Sequence, residues 1–513
     1  MIKPQSSKTI AATFTRKSAD GETETAHGQF IMSESAPNHV VHLFSDFASE
    51  APDIERFFDS GSEVNNYPIL HAQTEEGSFT FVDLRLAGYT RNFGGGKLTR
   101  RTYQPYVVIK SEVLLEENDL FLTHATFRFW GQDSWAQWVK WTIETPLDDE
   151  GDLQVTRLKI PTRTVVHQGV EVSLKDASPM VRSSPGNSGK LTLTQTSIFK
   201  LTFPEPISLR DFISGWVLPL SFLVGSGIRS AAGVESMWIG NKTWTYSGSG
   251  ELVGRDVQVL ANNPDRKVTQ DDLEEGRFMH RLRNFDYETQ MPIFFEAWKK
   301  HQVTFEQYVD WIQQRPTSPL TQMSYLAQLV ETFDRSINPD SETDDALREW
   351  AAAAEAALAE HDDLKPFAKK AKQAVLESAR PTLRQRLARM DTETGELLTT
   401  AIGDVRSWKD DVSLVRNSLI HGLPTSIFFA RNHTPLYVSI DILEILFEAR
   451  LLVNLGFAPE QAEQILTKDN PWWHQRVSQI TDLLHSLVEF RNFVPAADTQ
   501  AEDNDDATPD QTT

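Results

Sequence analysis

The chain has 513 residues, 50 Lys and Arg against 72 Asp and Glu, a net charge of −22 and no cysteine. It is too long for one ordinary core and predicts two or three domains, while 40% hydrophobic and 10% aromatic residues supply ample material for burial. The missing cysteines exclude disulfides and thiolate metal sites, and the net acidity argues against a nonspecific grip on long nucleic acid.

The N-terminus, Met1-Ile-Lys-Pro-Gln-Ser-Ser-Lys8, lacks the apolar core of a signal peptide, so a cytoplasmic protein is expected. Up to about residue 205 the pattern alternates with period two or runs in short apolar stretches, as in Phe79-Thr-Phe-Val-Asp-Leu-Arg-Leu86 and Phe121-Leu-Thr-His-Ala-Thr-Phe-Arg-Phe129. These segments predict antiparallel sheets in a sandwich or barrel-like domain over 1–205. His39 and His42 fall in one such strand at a spacing that puts them on opposite faces, which disfavours a shared metal. Arg91 to Arg101 joins three glycines to four cations and reads equally as a contact loop or a hairpin loop. Trp130, Trp135, Trp138 and Trp141 read as core or interface rather than a ligand box. Ser183 to Lys190 is a turn cluster that fails phosphate-loop spacing because position 184 is Ser, so it reads as a hairpin.

A mixed, mainly helical connecting region is expected over 206–300, with a short strand pair near Met237 to Tyr246. Its apolar run Phe212 to Ile228 is too short and too interrupted by Pro219 and glycines for a membrane span, and predicts a buried helix. His280 lies among Arg277, Arg281 and Arg283, where a phosphate contact is the less favoured reading. Residues 301–495 predict an all-α domain with helices over Pro319 to Ile337, Ala346 to Glu360 and Val438 to Leu455 and a break at Ala379-Arg-Pro381. From Leu364 to Met390 cations dominate: Lys365, Lys369, Lys370, Lys372, Arg380, Arg384, Arg386 and Arg389 against Glu377 alone. That strip reads equally as a guide for an RNA backbone, with the four arginines as contacts, and as a solvated helix face. The tail 496–513, with six acids and no base, predicts disorder.

The most informative stretch is Asp411-Val-Ser-Leu-Val-Arg-Asn-Ser-Leu-Ile-His-Gly-Leu-Pro424. It sets Arg416, Asn417 and His421 at the end of an apolar helix that Gly422 and Pro424 stop. A permanently charged guanidinium and an imidazole that titrates near neutrality suit metal-free RNA cleavage, one steadying phosphoryl oxygens and the other moving a proton. Five residues of ideal helix rotate by about 500°, leaving the two side chains roughly 140° apart, so convergence needs a distorted last turn or a second copy across a two-fold axis. The plainer alternative has Arg416 capping a carboxylate and His421 at a helix C-terminus. No cofactor or metal is called for by these residues.

The R-x4-H spacing with Asn directly after the arginine resembles the HEPN ribonuclease motif, R-x4-6-H. Together with Gly28-Gln-Phe30, Phe127-Arg-Phe-Trp130, Ile207 to Arg229 and Leu326-Ala-Gln-Leu-Val-Glu-Thr-Phe333, the chain resembles ApeA-like anti-phage HEPN proteins over nearly its whole length. The resemblance implies an α+β chain: an antiparallel β-rich N-terminal domain that senses or restrains, followed by a helical HEPN domain. It also implies a homodimer whose paired motifs cleave RNA in bacterial defence, with a phage-derived trigger as a further partner and no membrane. Arg416 and His421 are then catalytic and Asn417 orients the substrate. Glu331, in the helix compared with an early HEPN helix, either supports Arg416 or His421 or, the favoured reading, pairs with Arg335 one turn on. A non-catalytic HEPN-shaped scaffold is the alternative function.

Overall fold

A computed structural model of the chain describes residues 7–493 except 18–19, 34–38, 46, 48–66, 92–98, 112–114, 116–119, 139–140, 145–153, 179–195, 242–255, 262–277, 340–344, 379, 404–407, 421–425 and 469. The Ser183 to Lys190 turn, most of the Arg91 to Arg101 loop, His421 and the acidic tail therefore lie outside the described residues. The chain divides into two units, 1–292 and 293–513.

The first unit is β-rich and antiparallel, as its alternating sequence predicts. Ser7–Lys17 (β1), Thr23–Ser33 (β2), Val40–Leu43 (β3), Tyr67–Thr74 (β4), Gly77–Arg91 (β5) and Thr99–Ser111 (β6) close on themselves in the order β6-β3-β2-β1-β4-β5, because β5 also pairs with β6. Closure removes the sheet edges that alternating strands would otherwise expose. Inward residues meet as an aromatic core: the Phe30 ring lies 5.0 Å from Phe81 and 5.3 Å from Phe79, and all three are fully buried. Gly28 lets β3 close on β2, since a Cβ there would lie 2.0 Å from the His42 carbonyl oxygen. Arg91 pairs with Thr99, and the residues between them lie outside the described ones.

Strand β6 is shared. Its first half pairs with β3 and its second half, through Val107 to Lys110, with Val257–Ala261 (β14). From β14 the sheet continues through Val234–Gly240 (β13), Phe121–Phe129 (β7), Ser197–Ser208 (β12), Val170–Asp176 (β11) and Arg163–His167 (β10), while Trp141–Glu144 (β8) and Gln154–Arg157 (β9) form a separate ribbon. Strand β12 runs across residue 205, and β13 and β14 belong to the same sheet. Of the strand pair expected near Met237 to Tyr246, the first strand is found as β13, which pairs with β14 and with β7, and the second falls among residues outside the described ones.

Helix Leu209–Ile228 covers this sheet. Ser208 caps it by accepting from the Asp211 amide, a π-turn spans Ile213–Val217, and Phe212 packs 5.7 Å from Phe127. Among the described residues it is the one helix long and apolar enough to cross a membrane, and 67% of its apolar window is buried within the protein. Gly227 lets Trp135 close in, because a Cβ would stand 2.5 Å from Trp135 Cδ1. Trp135 itself is fully buried, the core role expected of it.

His280 is a core residue, which corrects the idea of a phosphate contact. Trp135 Nε1 donates to its Nδ1 at 3.4 Å, so the ring carries its proton on Nε2, facing Ser226 Oγ at 3.3 Å. Burial lowers its pKa to about 3, and lowers that of His39 to about 4. Both rings stay neutral in the fold while the unfolded chain protonates near 6.5, so stability is lost as pH falls below that value, by about 1.4 kcal/mol per pH unit for each ring. Urea unfolding of the whole chain at pH 7.5 and pH 5 should show this loss, and His280→Gln should reduce it; an unchanged loss in that variant would contradict the assignment.

In the second unit, helix Tyr287–Gln313 enters with a break at His301. Pro319–Ile337 follows over the expected bounds, then Asp345–Ala359, Ala368–Ser378, Leu383–Glu393 and Leu397–Ile402. Thr382 and Gln385 form the capping box that restarts the chain after Pro381. The motif helix Trp408–Ile420 packs on Pro319–Ile337, Leu383–Glu393 and Thr434–Asn454, the last being the unit's most buried helix. Pro471–Leu483 and a helical stretch over 485–493 complete the unit.

Candidate functional site

The motif helix buries Val412, Val415 and Ser418; Asn417 is exposed, and Arg416 stands at the margin of the buried face, partly covered by helix Pro319–Ile337. Asp411 anchors its first turn through two hydrogen bonds of 2.6 Å from Arg491. Arg416 is half-buried, and its Nη2 donates to Glu331 Oε1 at 2.9 Å while Nη1 donates to Asn417 Oδ1 at 3.2 Å. Glu331 reaches across from helix Pro319–Ile337, and its second oxygen lies 3.5 Å from Arg335 Nη2. One carboxylate oxygen of Glu331 thus faces each arginine. The helix ends at Ile420, and His421 lies directly after it, outside the described residues.

The arginines of the basic strip fare differently from one another. Arg380 is exposed, and Arg384 is exposed but ion-paired with Asp410. Arg386 is buried and donates to Asp334 at 2.8 Å, and Arg389 donates to the same fully buried carboxylate at 2.9 Å. Arg386 is corrected as an RNA contact: its guanidinium faces the protein interior, where it neutralises Asp334. Its position was legible, because Leu383, Arg386, Leu387 and Met390 share one helix face and all are buried. Asp334 itself was missed; it stands one turn beyond Val330, in step with the buried Leu326, Val330 and Phe333.

Below this layer other charges are also paired. Asp391 takes Lys409 Nζ at 2.8 Å, Glu393 takes Arg450 at 2.6 Å, and the fully buried Glu444 accepts from Arg476 at 2.8 Å and Trp311 at 3.2 Å. Among the described residues no group of three His, Asp or Glu is placed to hold a metal ion.

A family model described as Apea-like HEPN matches residues 325–461, the span that contains Glu331, Asp334 and the whole motif, and one described as ApeA N-terminal domain 1 matches residues 17–238. The chain belongs to the ApeA-like HEPN proteins. Its family is one of anti-phage HEPN proteins, and its β-rich and helical units are the two parts that membership requires. No curated protein and no solved structure matches it.

Breaking the buried pair from one side leaves a cation without compensation. Asp334→Ala should therefore cost about 3–5 kcal/mol of unfolding free energy by urea titration, whereas Asp334→Ala with Arg386→Met should recover part of that loss. Equal stability of Asp334→Ala and the unmodified chain would show that the pair does not hold these helices.

Proposed function

We propose that this protein is a metal-independent endoribonuclease of bacterial anti-phage defence, acting in the cytoplasm as a homodimer through its HEPN unit. HEPN domains are generally ribonucleases that dimerise and bind RNA, which supports the reading. The observation that carries it is the fixed guanidinium: Glu331 and Asn417 hold Arg416 at the margin of the motif helix, five positions before His421 in the sequence.

In this mechanism His421 takes the proton of an RNA 2′-OH as that oxygen attacks the adjacent phosphorus. The bond to the 5′-oxygen breaks, and an imidazolium, supplied by the partner copy's motif, returns a proton to that leaving group. The products are a 2′,3′-cyclic phosphate and a 5′-hydroxyl, with no redox change and no water consumed. Arg416 offers a planar fork to two non-bridging oxygens and gains most as charge builds on them. Asn417 orients that fork or the phosphate with its amide. Glu331 fixes the arginine's direction, and the exposed Arg380 and Arg384 accompany the RNA. The β-rich unit senses the phage-derived trigger and tunes the rate of cleavage.

The test is RNA cleavage by the purified chain in EDTA. Cleavage should persist there, vanish in His421→Ala, and fall at least about tenfold in Arg416→Lys, because an ammonium keeps the charge and loses the fork. Glu331→Ala should cost roughly tenfold, the worth of one charge-assisted hydrogen bond. Cleavage that stops in EDTA, or that continues at full rate in His421→Ala, would overturn the assignment of Arg416 and His421, and no cleavage under any condition would favour a non-catalytic scaffold.

A further inference from the structure

Helices Asp345–Ala359 and Ala368–Ser378 pack chiefly on each other, as a hairpin. Ala351 is fully buried between them and Ala368 nearly so, and Lys372 Nζ stands 2.7 Å from Glu355 Oε2 across the pair. Their connecting turn is ordered by its own hydrogen bonds: the His361 carbonyl accepts from the amides of Leu364 at 3.0 Å and Lys365 at 2.9 Å, and the Leu364 carbonyl accepts from Phe367 at 2.9 Å. Yet this turn presents apolar surface to solvent, with Leu364 42% and Phe367 54% exposed.

Charge around these two side chains is split in sequence. Glu360, Asp362 and Asp363 precede Leu364, and Lys365, Lys369 and Lys370 follow it. All six are exposed, and none has an ion-pair partner among the described residues. An RNA backbone would meet three carboxylates here along with the lysines, and a uniformly acidic or basic protein surface would match only half of the patch. A second copy of the same turn, rotated by 180°, matches all of it, since a two-fold contact requires a patch complementary to itself.

We propose that this turn docks on the same turn of a second copy of the chain. Leu364 and Phe367 meet their counterparts near the two-fold axis, and the acids of each copy face the lysines of the other, an apolar centre with a charged rim. The patch is small, so the contact is weak alone and gains strength where another link already holds two copies together. It uses none of Arg416, Asn417 or His421.

The absence of cysteine makes the test clean. In the full chain, Leu364→Cys should give a disulfide-linked dimer on mild oxidation, several-fold above Val166→Cys, an exposed position that reports random collision. Adding Asp362→Lys with Asp363→Lys, or Lys369→Glu with Lys370→Glu, should each reduce Leu364→Cys cross-linking to the collision level. Mixing the two charge-swapped chains should restore it. Cross-linking of Leu364→Cys at the collision level, or indifferent to both charge swaps, would overturn the proposal. So would weaker RNA binding by the Lys369→Glu, Lys370→Glu chain with its cross-link intact, which would assign the lysines to RNA.

Discussion

A half-buried guanidinium beside an apolar helix must be given acceptors, and Glu331 and Asn417 supply them to Arg416. That constraint organises the helical unit. Helix Pro319–Ile337 has to lie against the motif helix for Glu331 to reach, and the same helix carries Asp334 one turn away to receive Arg386 and Arg389. One helix thus supports the candidate site on its accessible side and ties helix Leu383–Glu393 into the core on its buried side. Stability and chemistry share an element, so loosening one reaches the other.

Much of this was legible in the sequence. Period-two alternation gave away the antiparallel strands, and Pro319 with its apolar repeat marked a helix whose observed bounds match expectation. What period two cannot show is closure: the β5–β6 hairpin is local, and the distant pairings of β1 with β4 and of β3 with β6 make a barrel of what could have been an open sheet. The strands beyond residue 205 were hidden for a related reason. Helix Leu209–Ile228 interrupts the strand pattern, yet β13 and β14 come back to the sheet after it, and such non-local pairing leaves no local trace.

The site was legible in its residues and less so in its partners. The spacing of Arg416 and His421, with Asn417 directly after the arginine, drew attention to the motif, while the choice between Arg335 and Arg416 for Glu331 could not be made from spacing, because one pair is a turn apart and the other is 85 positions apart. The basic strip misled in part because charge was counted along the chain and not around the helix. Counted around it, Arg386 falls on the face of Leu383, Leu387 and Met390, where only a buried carboxylate can accommodate it.

The central claim concerns a bond and the direction in which it is broken, so the ends of the RNA fragments test it most directly. Mass spectrometry of RNA cut by the purified chain should find 2′,3′-cyclic phosphate at the 3′ ends and hydroxyl at the 5′ ends, with neither present for His421→Ala. Fragments ending in 3′-hydroxyl and 5′-phosphate would mean that water, and not the 2′-OH, attacked phosphorus, and would contradict the account given for Arg416 and His421.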